Sequence, residues 1–220
     1  MYHFFVEPHQ IGAEEIRIEG ADVNHIRNVL RMKPGEKILI SSREGGDYFC
    51  RVEELEPEYV SAKILEEREN NELPARIHLF QGLPKGDKME LIIQKAVELG
   101  VYRVIPVSMK RSVVKLDAKK ADAKGKRWNA VSESAAKQSK RSLIPEVAPL
   151  MTYKEAVKEA AGYDMVLLPY ESADGIRKTR ELLASVKPGT DIAVFIGPEG
   201  GFEDEEVELA RENRAEIVTL

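Results

Sequence analysis

A single cysteine, Cys50, is all the thiol chemistry the chain has, which excludes an internal disulfide and any cysteine-rich metal site. It alternates with Phe49 and Arg51 in a strand-like run, so it reads as a buried core thiol and not as a nucleophile. No apolar run reaches the length of a membrane-spanning helix, and Met1-Tyr-His-Phe-Phe-Val6 has no basic region ahead of an apolar one. The expected setting is therefore the cytoplasm, with no membrane and no metal. Internal repeats and low-complexity segments are also absent. What remains is 220 residues with 43% apolar and 32% charged content, enough for one large globular domain or two smaller ones.

The net charge of -5 argues against a nucleic-acid partner only if the charge is evenly spread, and it is not. Residues 102–142 carry 12 Lys/Arg against 3 Asp/Glu, whereas residues 199–216 carry 8 Asp/Glu against 2 Lys/Arg. A basic block inside an acidic chain suits a polyanion held on one face; a solvated surface helix is the plainer alternative.

Along the chain, short strand candidates at Tyr2–Val6, Glu15–Ile18, Lys37–Ser41, Tyr48–Val52 and Tyr59–Leu65 predict a small β-barrel. Asp22 to Arg31 reads as one helix capped by Asp22, with Val23, Ile26, Val29 and Leu30 on its apolar face. The polar stretch from Glu66 to Pro74 is the expected linker. Beyond it the period changes. Ile77–Gln81 is a strand, Asp87 and Glu90 have capping-box spacing ahead of a helix that Gly100 stops, and Val101–Val107 is the next strand. Such strand-helix-strand units build a parallel sheet. A long helix over roughly Ala121 to Lys140 follows, with Trp128 read as a core anchor. Further strands are expected at Met165–Leu168 and Asp191–Ile196, with an amphipathic helix over Gly175–Ala184 resting on Ile176, Leu182 and Leu183.

Ile192 to Val207 is an apolar strand that breaks into Gly197-Pro-Glu-Gly-Gly201 and restarts as an acidic helix. Gly197, Gly200 and Gly201 can take positive φ and expose bare backbone to a ligand, and the four carboxylates from Glu203 to Glu206 suit a helix start. The run lacks the Gly-Lys-Ser/Thr ending of a phosphate-cradling loop, and its acidic flank repels phosphate. An uncharged or cationic ligand fits it better, with an ordinary strand-to-helix turn as the alternative.

The combination of Ile196-Gly-Pro-Glu-Gly-Gly-Phe202, Gly82-Leu-Pro-Lys-Gly-Asp-Lys88, Gln94-Lys-Ala-Val-Glu-Leu-Gly100, Arg111-Ser-Val-Val-Lys115 and Gln138-Ser-Lys-Arg141 resembles the 16S ribosomal RNA (uracil-N3)-methyltransferase family, a SPOUT branch. His25-Ile-Arg-Asn-Val-Leu-Arg31 extends the resemblance to the first unit, which the family builds as a PUA-like barrel. The resemblance implies a PUA-like RNA-binding β-barrel over residues 1–70 and a SPOUT methyltransferase domain, a parallel α/β sheet with helices on both faces, over 71–220. It also implies S-adenosylmethionine as cofactor, held by Leu168, Pro169, Tyr170, Ile196, Gly197, Pro198, Glu199, Gly200 and Gly201 outside the carboxyl ends of the strands. The implied partners are 16S rRNA and a second copy of the chain. Two departures stand out. His3 occupies a place where the family usually has arginine. The family also continues past the last strand with a tail that threads a trefoil knot and forms one wall of the cofactor pocket. Ending at Leu220 is the pattern of a truncated chain, for which weak or no cofactor binding is expected.

Within that framework Arg111 and Arg141 are the candidate catalytic cations, able to stabilise charge on the uracil imide or to contact phosphate. Arg27, Arg31, Lys85, Lys110, Lys115, Lys137 and Gln138 are the candidate RNA contacts. No general base stands out: Glu98 also reads as helix surface, Glu133 as a partner of Lys137, and Glu199 as loop structure. A noncatalytic RNA-binding module, or a methyltransferase acting on another RNA, are the alternative functions.

Overall fold

Alternation of apolar and polar side chains over the first seventy positions folds as a five-stranded sheet. Its strands are β1 (His3–Val6), β2 (Glu15–Glu19), β3 (Lys37–Ser42), β4 (Asp47–Leu55) and β5 (Tyr59–Arg68), in the order β1-β3-β4-β5-β2. β1 runs parallel to β3 and the other pairings are antiparallel. In β2, Ile16 and Ile18 are buried between exposed Glu15, Arg17 and Glu19, the period-two pattern of a half-buried strand. They join Phe4, Ile38, Ile40, Val52 and Val60 in one core. Cys50 lies wholly within it, and burial pushes its thiol up to about 12. The computed structural model describes residues 1–43, 45–171 and 176–219; Gly175, expected to open a helix, lies outside the described residues.

The helix expected over 22–31 is wound differently. α1 (Ala21–Asn24) passes directly into a π-helical turn over His25–Val29. The wider turn rotates side chains away from a 3.6-residue register, so Val23 and Ile26 stay buried but Val29 is 61% exposed. Asp22 is not the cap, since Gly20 at φ 75 precedes the helix. β5 also runs on through Arg68, into the expected linker.

From Arg76 onward the strands are parallel: β6 (Arg76–Gly82), β7 (Arg103–Ser108), β8 (Glu146–Val147), β9 (Met151–Thr152), β10 (Met165–Pro169), β11 (Asp191–Ile196) and β12 (Glu216–Val218). Their order is β12-β10-β11-β6-β7-β8, with β9 also beside β7. The helices are α2 (Lys88–Glu98), α3 (Ala118–Ser139), α4 (Tyr153–Ala160), α5 (Ile176–Ala184) and α6 (Asp204–Glu212). Successive residues of a strand serve opposite faces. Leu168, Ala193 and Phe195 pack with Tyr153 and Val157 of α4 and Val207 of α6. Leu167 and Ile192 pack on the other side with Leu182 of α5. Phe80 and Phe195, on adjacent strands, stack with centroids 4.6 Å apart. Helices therefore cover both faces, the arrangement expected for a parallel sheet.

Local details differ from expectation. Asp87 precedes α2 but makes no side-chain cap hydrogen bond, and Glu90 instead pairs with Arg127 at 2.7 Å. On α5, Ile176 and Leu183 are exposed, and beside the inward Leu182 the fully buried residue is Thr179, whose hydroxyl donates to the Thr219 carbonyl at 2.7 Å. Trp128 is buried, 3% exposed, as a core anchor.

By contacts the chain divides into Met1–Glu72 with Ala136–Ile144, and Leu73–Ala135 with Pro145–Leu220. The last turn of α3 thus groups with the first unit. Among the described residues no helix is long and apolar enough to cross a membrane, and no group of three or more His, Cys, Asp or Glu is placed to hold a metal ion.

Candidate active site

β11 ends at Ile196, and the chain turns through Gly197 to Phe202 before Glu203 opens α6. The Gly201 N–H donates to the Pro198 carbonyl at 2.8 Å, closing the turn. Only Gly201, at φ 70, uses the left-handed region. Gly197 and Gly200 are glycine for want of space. A Cβ on Gly197 would lie 3.1 Å from the Gly201 backbone, and one on Gly200 would lie 3.2 Å from Cβ of Arg111. Gly82, at the end of β6, is tighter still, since a Cβ there would come within 2.7 Å of Pro198. Glycine therefore lets three chain segments meet as bare backbone.

A cleft of about 400 Å³ opens on this turn, at the carboxyl ends of β10 and β11. Pro169, Tyr170, Ile196, Gly197, Pro198, Glu199, Gly200 and Gly201 all line it, together with Arg111, Glu171 and Phe202. Leu168 does not. Strand alternation turns its side chain into the core, where it is 0% exposed. A ligand crevice at the carboxyl ends of parallel strands is where open α/β sheets place one.

Fixed polar contacts surround the cleft. The Arg111 guanidinium donates from Nε to Glu203 Oε1 at 2.9 Å and from Nη1 to the Gly200 carbonyl at 2.8 Å. Glu199 accepts from Lys88 Nζ at 2.7 Å and from the Lys85 backbone N–H at 3.2 Å. The Lys88 ammonium and these N–H groups hold its carboxyl down at about 2, so at neutral pH it is a fixed anion and a poor proton acceptor. Arg111 likewise keeps the Glu203 carboxyl below its usual range. The Tyr170 hydroxyl donates to Asp204 at 3.0 Å, and that bond raises the phenol above its ordinary value.

Beneath this layer lies a residue that patterns of charge alone did not single out. Glu206 is 4% exposed. Its Oε1 accepts the Lys110 backbone N–H at 2.9 Å and its Oε2 accepts the Glu203 N–H at 3.0 Å, so one buried carboxylate ties the loop after β7 to the start of α6. Tyr153 donates to the Glu206 carbonyl at 2.7 Å. The Glu203–Glu206 spacing, a capping-box interval, was the available signal.

The other expected residues are dispersed. Lys85 is exposed beside Glu199, Lys110 is exposed and paired with Glu205, and Lys115 is exposed. In the first unit, Arg27 is half-buried on the π-turn and Arg31 is exposed at φ 52. Lys137 lies 3.3 Å from Asp22, and Gln138 is exposed. Arg141 is buried, 8% exposed, and its Nε donates to both carboxylate oxygens of Glu72 at 2.9 and 2.8 Å. The cleft therefore brings together Arg111 and the residues expected to hold the cofactor other than Leu168, while Arg141 belongs to a buried ion pair.

A family model described as an RNA methyltransferase domain matches residues 71–220, and one described as an RNA methyltransferase PUA domain matches residues 18–65. Ribosomal RNA small subunit methyltransferase E of Bacillus subtilis is 36% identical over 96% of this chain and 86% of its own length. A crystal structure of a hypothetical protein superposes with a TM-score of 0.92 at 36% identity, covering 99% of this chain and 88% of that one. That of ribosomal RNA small subunit methyltransferase E from Neisseria gonorrhoeae, bound to S-adenosyl methionine, gives 0.82 at 32% identity, covering 100% and 89%. With its parallel sheet, its glycine-floored cleft and these matches, the chain belongs to the ribosomal RNA small subunit methyltransferase E family.

Proposed function

We propose that this chain transfers a methyl group from S-adenosylmethionine to N3 of a uridine in the 16S RNA of the small ribosomal subunit. The observation that carries the reading is the cleft at the ends of β10 and β11, floored by the Gly197–Gly201 turn and flanked by Arg111. Its residues suit the cofactor. The cleft floor is a glycine turn that presents backbone groups, and the Glu171 and Glu199 carboxylates favour a cation over a phosphate.

When bound, S-adenosylmethionine supplies a methyl carbon activated by its sulfonium. The chain's own part is positioning and charge. The backbone of residues 196–201, with Pro169 and Tyr170, would hold the donor and so limit its freedom relative to the base. Arg111, fixed by Glu203 and Gly200, presents a planar cation to the uracil imide as the N3 proton passes to solvent water and charge spreads to the flanking carbonyl oxygens. Glu199 fixes the turn through Lys85 and Lys88 and takes no proton.

Lys85, Lys110 and Lys115 bind phosphate beside the cleft, with Lys137 and Gln138 adding contacts from the end of α3 and Arg27 and Arg31 from the PUA-like barrel of residues 1–70; residues 71–220 form the catalytic domain. A homodimer completes the RNA site, which light scattering tests. Mass spectrometry of ribosomal RNA after incubation with the protein and labelled donor should reveal one methylated uridine. Its absence would leave a noncatalytic RNA binder, and a label elsewhere would redirect the substrate. Calorimetric titration with S-adenosylmethionine separates the two affinity expectations. Micromolar binding means that residues 1–220 suffice to hold the cofactor, and absence of heat means they do not.

A further inference from the structure

We propose that the outward face of the first three turns of α3 is a second RNA-backbone surface, extending the footprint beyond the cleft along Lys119, Lys120, Lys126 and Arg127. The inference rests on the ribosomal RNA methylation proposed above. It starts from the helix's own geometry. Trp128, Ser132 and Ala135 are buried and mark the inward side. At 100° per residue, Lys119, Ala123, Lys126 and Ala130 lie opposite them, flanked by Lys120 and Arg127 on one edge and by Asp122 on the other, all exposed. That face holds four cations against one carboxylate, Asp122 at its edge, and no bulky apolar side chain.

A helix face that serves solvation alone mixes signs, as α2 in the same unit does with Lys88, Gln94, Lys95 and Glu98. A predominance of cations interleaved with alanine is a different pattern. The alanines leave nothing to hold a phosphate backbone away from the helix, and the cations around them supply its countercharge. Arg127 is paired with Glu90 at 2.7 Å, but the lysines are held loosely. Lys120 meets Asp117 at 3.3 Å with both side chains 60% exposed or more, and Lys126 meets Asp122 at 3.0 Å with both above 65%. Solvent-exposed pairs of this kind contribute little and exchange readily for phosphate.

Position supports the assignment. Ala118, where α3 begins, follows cleft-lining Arg111 by seven residues, so the face starts within about 25 Å of the cleft however the loop runs. From there, residues 118–127 extend about 15 Å further. An RNA strand whose target base enters the cleft has neighbouring phosphates at that reach. The occupant is therefore the sugar-phosphate backbone flanking the target, read by charge and not by sequence.

The test uses the full chain and a small-subunit RNA fragment, with affinity measured by fluorescence anisotropy across a salt series. The combined variant Lys119→Gln, Lys120→Gln, Lys126→Gln should weaken binding about tenfold or more and flatten the log-log salt slope by about 2. S-adenosylmethionine affinity and Tm should not change. Ala123→Glu, which keeps a good helix former but puts an anion in the middle of the arc, should weaken RNA binding as strongly. Unaltered affinity and slope in both variants, with wild-type protein still methylating ribosomal RNA, would overturn this surface alone. Wild-type protein that neither binds nor methylates the RNA would overturn the functional reading beneath it.

Discussion

Two arginines of the basic block, Arg111 and Arg141, have the same chemistry and similar polar neighbours in sequence, yet they end in opposite surroundings. Arg111 lines the cleft with its side chain 44% exposed, and its partner Glu203 is 41% exposed. Arg141 is 9% exposed against a Glu72 that is 12% exposed, and the same carboxylate also takes the Ser142 backbone N–H at 2.8 Å. Water can replace either partner of the first pair, so the Arg111 cation can be offered to a ligand. No such exchange is open to the second, where separation would strand a charge in low dielectric. Identical side chains thus divide into a working cation and a structural one, and burial decides which is which.

That division can be broken at several points. The largest effect is expected at the buried pair: Arg141→Met should cost about 3–5 kcal/mol in denaturant unfolding, because Glu72 is left charged and unpaired. Adding Glu72→Leu should recover much of that loss, and failure to recover would mean the pair is not the reason. At the cleft the pattern should invert. Arg111→Ala should lower single-turnover methyl transfer by about 100-fold while Tm hardly moves; a large drop in Tm would place Arg111 with Arg141 as a structural residue.

A smaller effect is expected where the cleft floor is packed from below. Gly82→Ala puts a methyl group 2.7 Å from Pro198 and should destabilise by about 1–3 kcal/mol while weakening cofactor binding. A neutral result in calorimetry would mean the turn moves freely over β6. The smallest is a pH effect in the first unit. His3 is buried, and desolvation is the main cause that brings its pKa down to about 4, with Lys137 and Lys140 also lowering it and Asp47 opposing them. Folded His3 therefore stays neutral where the unfolded chain binds a proton, so stability is full above about pH 6.5 and declines as pH falls toward 4. His3→Gln should remove that slope. Asp191 in the other unit, held down at about 2 chiefly by Arg76, should show its loss only below about pH 4.

Period and punctuation made much of the fold legible. Alternation at Ile16 and Ile18, the glycine stop at Gly100 and the apolar runs of β10 and β11 depend on neighbours close in sequence. The helix at 21–29 was misjudged because a π-turn changes the period on which the apolar face was counted, as exposed Val29 shows. Most of the cleft was legible too, since a Gly-Pro-Glu-Gly-Gly turn after a strand is a local event. Leu168 was the exception, turned inward by strand alternation.

By itself, then, the sequence determined the α/β character, the glycine turn and the uneven charge, all properties set by composition and short-range spacing. Only the tertiary structure decided that Arg111 reaches the lip of that turn across 89 residues to Gly200, that Arg141 is clasped by Glu72, and that Glu206 is the buried carboxylate between loop and helix. Pairings over such separations depend on which strands lie side by side and on how much water each group keeps. Neither is written in the residues around it.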